Sequence, residues 1–179
     1  HPVLFLEHIG LYGLRGGMTG WGQNINQVVD VDKVHNKLES DSQFKLGKAE
    51  IIRGGRDLTL VTWGSMLHLS LQAAELLAEE DIEVEVIDLR TLLPFDAKTC
   101  IQSVMRTCRL IIVQEGQWSG GLGHTLQSRI LEETFYLLES APIVVGAIDT
   151  PVPFSPPLEN HTIPSLDFII DAIRTACDD

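Results

Sequence analysis

Residues 57–89, DLTLVTWGSMLHLSLQAAELLAEEDIEVEVIDL, indicate the fold class of this chain most clearly. It begins with a strand-like run, Asp57–Trp63, which ends at Gly64-Ser65, and it closes with a second such run, Ile82–Leu89. Between them, residues 66–79 carry apolar side chains at helical spacing, so they predict a helix. A strand, a helix and a strand in this order are typical of a right-handed βαβ unit in a parallel sheet.

The same alternation continues on both sides of this unit. The further strands are expected at Ala49–Arg53, Arg109–Gln114 and Pro142–Ile148, and the further helices begin at Ala97, at His124 and after Ser165. Asp96 and Ser165 are placed to cap the helices that follow them. We therefore expect a three-layer α/β/α domain with a mostly parallel five-stranded sheet, in which one edge strand is free to be antiparallel.

The first 45 residues differ from the rest. Val3–Leu6 resembles a strand, but no preceding element is there to pair with it. Residues 16–44 are rich in glycine and polar side chains, which predicts a linker or a mobile loop. Because a domain rarely starts on a buried strand, we expect the chain to be a fragment.

Composition and charge narrow the classes of function. Hydrophobic residues make up 44% of the 179 residues and charged residues 21%, a mixture able to form a core. The net charge of −12 argues against a nucleic-acid binder, which needs a basic face. The apolar runs are strand-sized, so no membrane span is predicted. The acidic surface either attracts a basic partner or only keeps the protein in solution. The three cysteines lack CxxC spacing, which favours buried thiols in a reducing compartment.

The glycine-rich stretch Gly116–Gly123 is the one that most resembles a ligand-binding motif. It follows the fourth strand and lacks the spacing of a dinucleotide fingerprint, and the chain contains neither a GxxxxGK[ST] nor a GxSxG motif. We interpret it as a tight strand-to-helix turn, where glycine supplies positive φ and close packing. No catalytic, cofactor-binding or metal-binding residue is predicted from motifs, and the histidines show no metal-ligand spacing.

Three residues are candidates for a site beyond the carboxyl ends of the strands, where function gathers in such sheets. Glu115 and Asp149 end neighbouring strands, and His124 begins a helix beside the glycine turn. Glu115 and Asp149 either form a carboxylate pair or bind loop amides and helix N-termini. His124 either acts as an acid or base or has a structural role.

Seven short strings, taken in order, carry a family resemblance. They are VLFLEH at 3–8 with Leu11-Tyr12, LGKAE at 46–50, EVIDLRTLLPF at 85–95, TCRLIIV at 107–113, GGLG at 120–123, Ala141-Pro142, and DTPVPF at 149–154. In this order they resemble the beta subunit of the thiamine-diphosphate-dependent decarboxylating component of 2-oxoacid dehydrogenase complexes, which include the pyruvate, branched-chain 2-oxoacid and acetoin enzymes. The longer, glycine-rich stretch at residues 13–44 departs from that pattern.

The resemblance implies a transketolase-like C-terminal domain at residues 46–179, a linker or mobile loop at 16–45, and the last strand and exit of a pyrimidine-binding domain at 1–15. It implies that thiamine diphosphate and Mg belong to the whole enzyme and that the fragment binds neither. The implied partners are an alpha subunit, a second beta subunit and the acyltransferase core of the complex, in the bacterial cytoplasm or the mitochondrial matrix. The whole enzyme would decarboxylate a 2-oxoacid and acylate lipoyl groups, while the fragment alone would be inactive.

Acidic residues around one predicted helix end and at the C-terminus are candidates for binding the acyltransferase. They are Glu139, Asp178 and Asp179. Two alternatives remain open: a non-enzymatic interaction module of the same fold, and a flavodoxin-like small-molecule binder.

Overall fold

A computed structural model describes residues 2–11 and 46–178 of the chain. The whole of the predicted linker, residues 16–45, and the predicted docking residue Asp179 lie outside these ranges. The strands are β1 (Glu50–Arg53), β2 (Leu58–Thr62), β3 (Val84–Asp88), β4 (Leu110–Gln117) and β5 (Ile143–Ala147). The α-helices are α1 (Met66–Ala78), α2 (Ala97–Thr107), α3 (Leu122–Thr134), α4 (Pro156–Thr162) and α5 (Leu166–Asp178), and 3-10 turns occupy Ile9–Leu11 and Phe135–Leu137.

The five strands form one sheet in the order β1-β3-β2-β4-β5. All pairs are parallel except β1–β3, which is antiparallel and has a register shift between Ile51 and Arg53. The expectation of a mostly parallel α/β sheet with an antiparallel edge is therefore confirmed.

The core lies on both faces of the sheet. Every residue of the central strand β2 is buried, as expected for a parallel strand covered by helices on two sides. One cluster of buried side chains joins the sheet to α1 and α5, and includes Leu60, Leu77 and Ile173. The second joins it to α2 and α3, and includes Ile112 and Val104. These two layers complete the α/β/α arrangement, and because β2, β3, β4 and β5 are parallel, their carboxyl ends lie at one edge of the sheet.

The helix caps follow the sequence. The side chain of Asp96 accepts a hydrogen bond from the Thr99 amide at 3.3 Å, and the Ser165 hydroxyl accepts one from the Phe168 amide at 3.2 Å. Each cap satisfies an amide that the first helical turn would otherwise leave without a partner. Both predicted caps are confirmed.

Two sequence-based expectations differ from the structure. The run Val3–Leu6 forms no strand, and its side chains are exposed, because no described strand pairs with it. The assignment of residues 1–15 to an upstream domain stays a prediction. The proline-rich residues 150–164 after β5 have a composition that predicts a loop, but they contain α4, which begins at two prolines. Proline is tolerated there because the first helical turn does not use its amide.

A buried polar network lies on the α2 side of the sheet. The carboxylate of Glu85 on β3 accepts hydrogen bonds from Ser103 and, at 2.6 Å, from the Arg106 guanidinium. The hydroxyl of Ser103 also contacts that of Thr59, at 2.5 Å. These contacts satisfy polar groups that would otherwise be buried without partners. Within residues 2–11 and 46–178, no helix is long and apolar enough to cross a membrane.

Candidate functional site

The three candidate residues lie on the carboxyl side of the sheet and have different partners. Glu115 is in β4, His124 is in the first turn of α3, and Asp149 follows β5. Glu115 binds Ser65 and His8, whereas Asp149 binds Ser119. Each carboxylate therefore has its own hydrogen-bonding environment, in keeping with the expectation that these acids bind loop and helix-terminal groups.

Glu115 connects three distant parts of the chain. It accepts a hydrogen bond from the hydroxyl of Ser65, the residue that precedes α1, and its other contact is the imidazole Nε2 of His8, at 2.9 Å from Oε2 and 3.2 Å from Oε1. Ser65 is buried, while the side chains of His8 and Glu115 are 29% and 39% exposed. Neither Ser65 nor His8 was a candidate from the sequence, since His8 is 107 residues away from Glu115.

Asp149 anchors the loop that follows β4. Its two carboxylate oxygens accept hydrogen bonds from the amide and the hydroxyl of Ser119, at 2.9 and 2.6 Å. The Ser119 hydroxyl, then the Ser119 amide, lower the pKa of Asp149, and the nearby His124 adds to this effect. Because Ser119 donates its proton to a carboxylate that stays charged, its hydroxyl is not paired with a histidine base.

His124 packs on an aromatic neighbour. Its ring meets that of Trp118 edge to face, with the ring centroids 4.6 Å apart, and its Nδ1 lies 3.5 Å from the Gln127 side-chain oxygen. The indole nitrogen of Trp118 in turn donates to the Val144 carbonyl at 3.1 Å. These contacts describe an imidazole held by packing, which favours the structural role over acid–base chemistry.

Gln114 holds the glycine turn together. Its buried side chain donates to the Gln117 carbonyl at 2.8 Å and accepts from the Gly123 amide at 2.7 Å. A side chain at Gly121 would collide with this amide, and one at Gly123 would approach Val144 to 2.8 Å. The turn interpretation is confirmed for close packing, but the positive φ belongs to Gly120, at +72°, and not to Gly121 or Gly123.

A shallow open depression lies beside this turn. It has a volume of about 340 Å³ and is lined by Gln117, Ser119, Asp149, Thr150 and Pro151. In the described part of the chain, no group of three or more histidine, cysteine or acidic side chains is arranged to hold a metal ion. With only one charged side chain in its lining, this depression has no set of donors that fits a magnesium-bound diphosphate.

Two of the predicted docking acids, Glu139 and Asp178, are at the surface. Glu139 forms an ion pair with Arg109, at 3.0 Å, and its side chain is 56% exposed. Asp178 ends α5 and is exposed. Since Glu139 already has a cationic partner, its charge is less available to a second protein than that of Asp178.

Comparisons with known proteins agree with this fold. The family model described as transketolase, C-terminal domain, matches residues 47–169. The chain is 34% identical over 174 residues to the pyruvate dehydrogenase E1 component subunit beta of Chlorokybus atmophyticus, covering 97% of this chain and 46% of the relative. It is 37% identical over 173 residues to the acetoin:2,6-dichlorophenolindophenol oxidoreductase subunit beta of Cupriavidus necator, again covering 97% and 46%.

A comparison with solved structures also finds a transketolase. The chain resembles a split gene transketolase, described as an inactive beta4 tetramer, with a TM-score of 0.66 and 27% identity, over 77% of this chain and 45% of that one. The chain spans about half the length of the curated relatives it matches.

Proposed function

Since this chain belongs to the transketolase C-terminal domain family, we propose that it is the assembly and docking domain of a 2-oxoacid dehydrogenase beta subunit. One observation carries the proposal: beta subunits of the pyruvate and acetoin enzymes align with 97% of the chain at 34% and 37% identity. The whole enzyme would decarboxylate a 2-oxoacid and acylate lipoyl groups, and this chain would supply contacts and no reacting group.

The proposal divides the chain into three parts. Residues 1–15 would be the last strand and exit of a pyrimidine-binding domain, residues 16–45 a linker, and residues 46–179 the docking domain. Four consecutive side chains support the first assignment, because Val3, Leu4, Phe5 and Leu6 are 69–92% exposed. Such a run is typical of a strand that is covered on both faces in a larger sheet. Thiamine diphosphate and Mg would be bound by other parts of the whole enzyme.

The proposed partners are an alpha subunit, a second beta subunit and the acyltransferase core. Exposed apolar side chains occur close together in sequence at residues 135–137 and 152–158, which supports burial in an assembly, because contiguous apolar surface marks contact sites. Tyr136 is 96% exposed and Phe154 is fully exposed, with Val152 and Leu158 nearby in sequence. By the same relationship we place the protein in the bacterial cytoplasm or the mitochondrial matrix.

The first test concerns the cofactor. We expect calorimetry on this chain to show no thiamine diphosphate binding at micromolar concentrations, with or without Mg, because the depression beside the glycine turn lacks the donors for a diphosphate. Titration into a complete subunit pair from a relative is the positive control. Binding of thiamine diphosphate to this chain alone at micromolar concentrations would contradict the proposal that other parts of the enzyme bind the cofactor.

The second test concerns docking to the acyltransferase. We expect reversal of Glu139, Asp178 and Asp179 to lysine to slow association with its basic subunit-binding segment, because opposite charges steer encounter. The rate for the unaltered chain should fall as salt rises, since the screening length is ~8 Å at physiological ionic strength. The salt slope should flatten in the triple variant.

A matched control separates local charge from net charge. Reversal of Glu75, Glu79 and Glu159, which are exposed, changes the net charge by the same amount at positions elsewhere in the chain. We expect this control to retain most of the association rate. Equal slowing by the two triple variants would show that only net charge acts, and no slowing by the first would remove Glu139 and the two aspartates from the interface.

A further inference from the structure

The sheet has a topological switch point between β2 and β4. From β2 the chain first moves to β3 on one side, and then crosses back to β4 on the other side. The helices that follow β2 and β4, α1 and α3, pack on opposite faces of the sheet. Such an arrangement is expected to form a crevice between the carboxyl ends of the two strands. In open α/β sheets this crevice is where ligands bind.

Two polar side chains flank the crevice in this chain. Ser65 follows the carboxyl end of β2 and precedes α1, while Glu115 lies near the carboxyl end of β4. They are joined by a hydrogen bond from the serine hydroxyl to the glutamate. A buried hydroxyl and a carboxylate at this position make an acceptor site for an N–H group.

The imidazole of His8 contacts the Glu115 carboxylate of this acceptor site. Nε2 of His8 lies 2.9 Å from Oε2 of Glu115, within the range of a charge-assisted hydrogen bond. His8 and Leu11 are the two residues of the described segment 2–11 that are not exposed. The 3-10 turn Ile9–Leu11 gives them a common face, because residues three apart align in such a turn, and the Leu11 amide donates to the His8 carbonyl at 3.0 Å.

We propose that the switch-point crevice between β2 and β4 is an imidazole-binding site, and that His8 occupies it to lock residues 2–11 onto the domain. His8 is a positioning residue that takes part in no reaction. Its contact with Glu115 fixes the place on the domain surface where residues 2–7 are attached. The crevice is thereby closed to other ligands. The geometry of the lock does not depend on the proposed function.

One consequence rests on the proposed function. If residues 2–7 are the exit of a pyrimidine-binding domain, the lock sets how that domain is held relative to the docking domain. Removal of His8 would then loosen the joint between the two while leaving each of them folded. Failure of the proposed function would leave the lock itself unaffected, so the two can be tested separately.

The first experiment measures the lock in the full chain. We expect His8→Ala to speed hydrogen exchange of the Leu11 amide by about three- to tenfold, the scale of a half-exposed charge-assisted hydrogen bond. Glu115→Ala should have a similar effect, and the two together should add little to either alone. His8→Gln, whose side-chain amide can still donate to Glu115, should restore part of the protection. His161→Ala is the control, because that imidazole is exposed on α4.

The second experiment fills the vacated crevice. Free imidazole titrated into the His8→Ala variant should shift the NMR signals of Ser65 and Glu115 in a saturable manner. The unaltered chain should not respond at those residues, because its own ring occupies the site, and neither should the variant that lacks both His8 and Glu115. Equal responses in the unaltered chain and His8→Ala, or unchanged Leu11 exchange in His8→Ala, would overturn the proposal.

Discussion

Alanine at Gly121 is expected to damage the glycine turn more than alanine at any neighbouring glycine. Its Cβ would collide with the side-chain amide of Gln114 and would lie 2.5 Å from the Gln117 carbonyl oxygen. The backbone of Gly121 itself is relaxed, with φ at −71°. The expected damage is therefore a clash and a displaced amide, without backbone strain.

The magnitude follows from what Gln114 loses. Its side chain makes two hydrogen bonds while 1% exposed, and a buried polar group left without its partner costs about 1–3 kcal/mol. Replacement of glycine by alanine also stabilises the fold by about 0.4–1 kcal/mol, because it lowers the conformational entropy of the unfolded chain. With both hydrogen bonds lost, at about 1–3 kcal/mol each, and the gain from alanine subtracted, we expect Gly121→Ala to lower the free energy of unfolding by about 1–5 kcal/mol. This corresponds to roughly 2–20 °C in Tm at the ~2–4 °C per kcal/mol usual for this size.

Two other glycines give the matched series. Gly123→Ala meets Val144 at 2.8 Å and Gln114 at 3.0 Å, but gains helix propensity of up to ~1 kcal/mol, so a loss of about 1 kcal/mol is expected. Gly116→Ala meets nothing within 4 Å and should stay within about 0.5 kcal/mol.

Urea unfolding of the three variants, repeated in a Gln114→Ala background, measures both the ranking and its cause. The cost of Gly121→Ala should shrink once the Gln114 amide is gone. Equal costs at the three glycines, or an undiminished cost in the Gln114→Ala background, would refute the reasoning.

Two further predictions concern charge. Because the pKa of Asp149 is lowered in the folded protein, its charged form stabilises the fold above the ordinary aspartate pKa, and this stabilisation is lost as pH falls through the lowered pKa. In Asp149→Asn, Tm should therefore fall less steeply with decreasing pH at acid pH than in the unaltered chain. An equally steep fall in the two proteins would contradict this. Glu85→Ala should cost about 2–3 kcal/mol because Glu85 is 5% exposed and bound to Ser103 and Arg106. Glu80→Ala, which breaks an exposed pair with an arginine, should cost clearly less in the same urea series; equal costs would contradict the role of burial.

The sheet and its helices could be predicted because their signals are local. Strands such as β2 are short apolar runs ended by glycine, and helix α2 has an aspartate at its N-cap. Helix α4 escaped prediction because Pro156-Pro157 is typical of loops, although proline is equally at home in the first turn of a helix.

The candidate site could be predicted only in part, because its contacts are long-range. Glu115 and Asp149 were identified by their position after strands, but their partners follow from the three-dimensional arrangement. His8 and Ser65 are 107 and 50 residues away from Glu115. The glycine turn shows the same limit, since the sequence does not reveal which glycine needs a positive φ and which one needs room for Gln114.

The antiparallel edge strand β1 has a consequence for how the protein behaves at high concentration. An open sheet edge offers unpaired amides and carbonyls on which further strands can add, which is the first step toward fibres. β1 presents only four residues, its register slips between Ile51 and Arg53, and Arg53 is tied to Glu83 at 2.8 Å. A strand of a second chain would find too short and too irregular a template here, so polymerisation is not expected to start at the β1 edge.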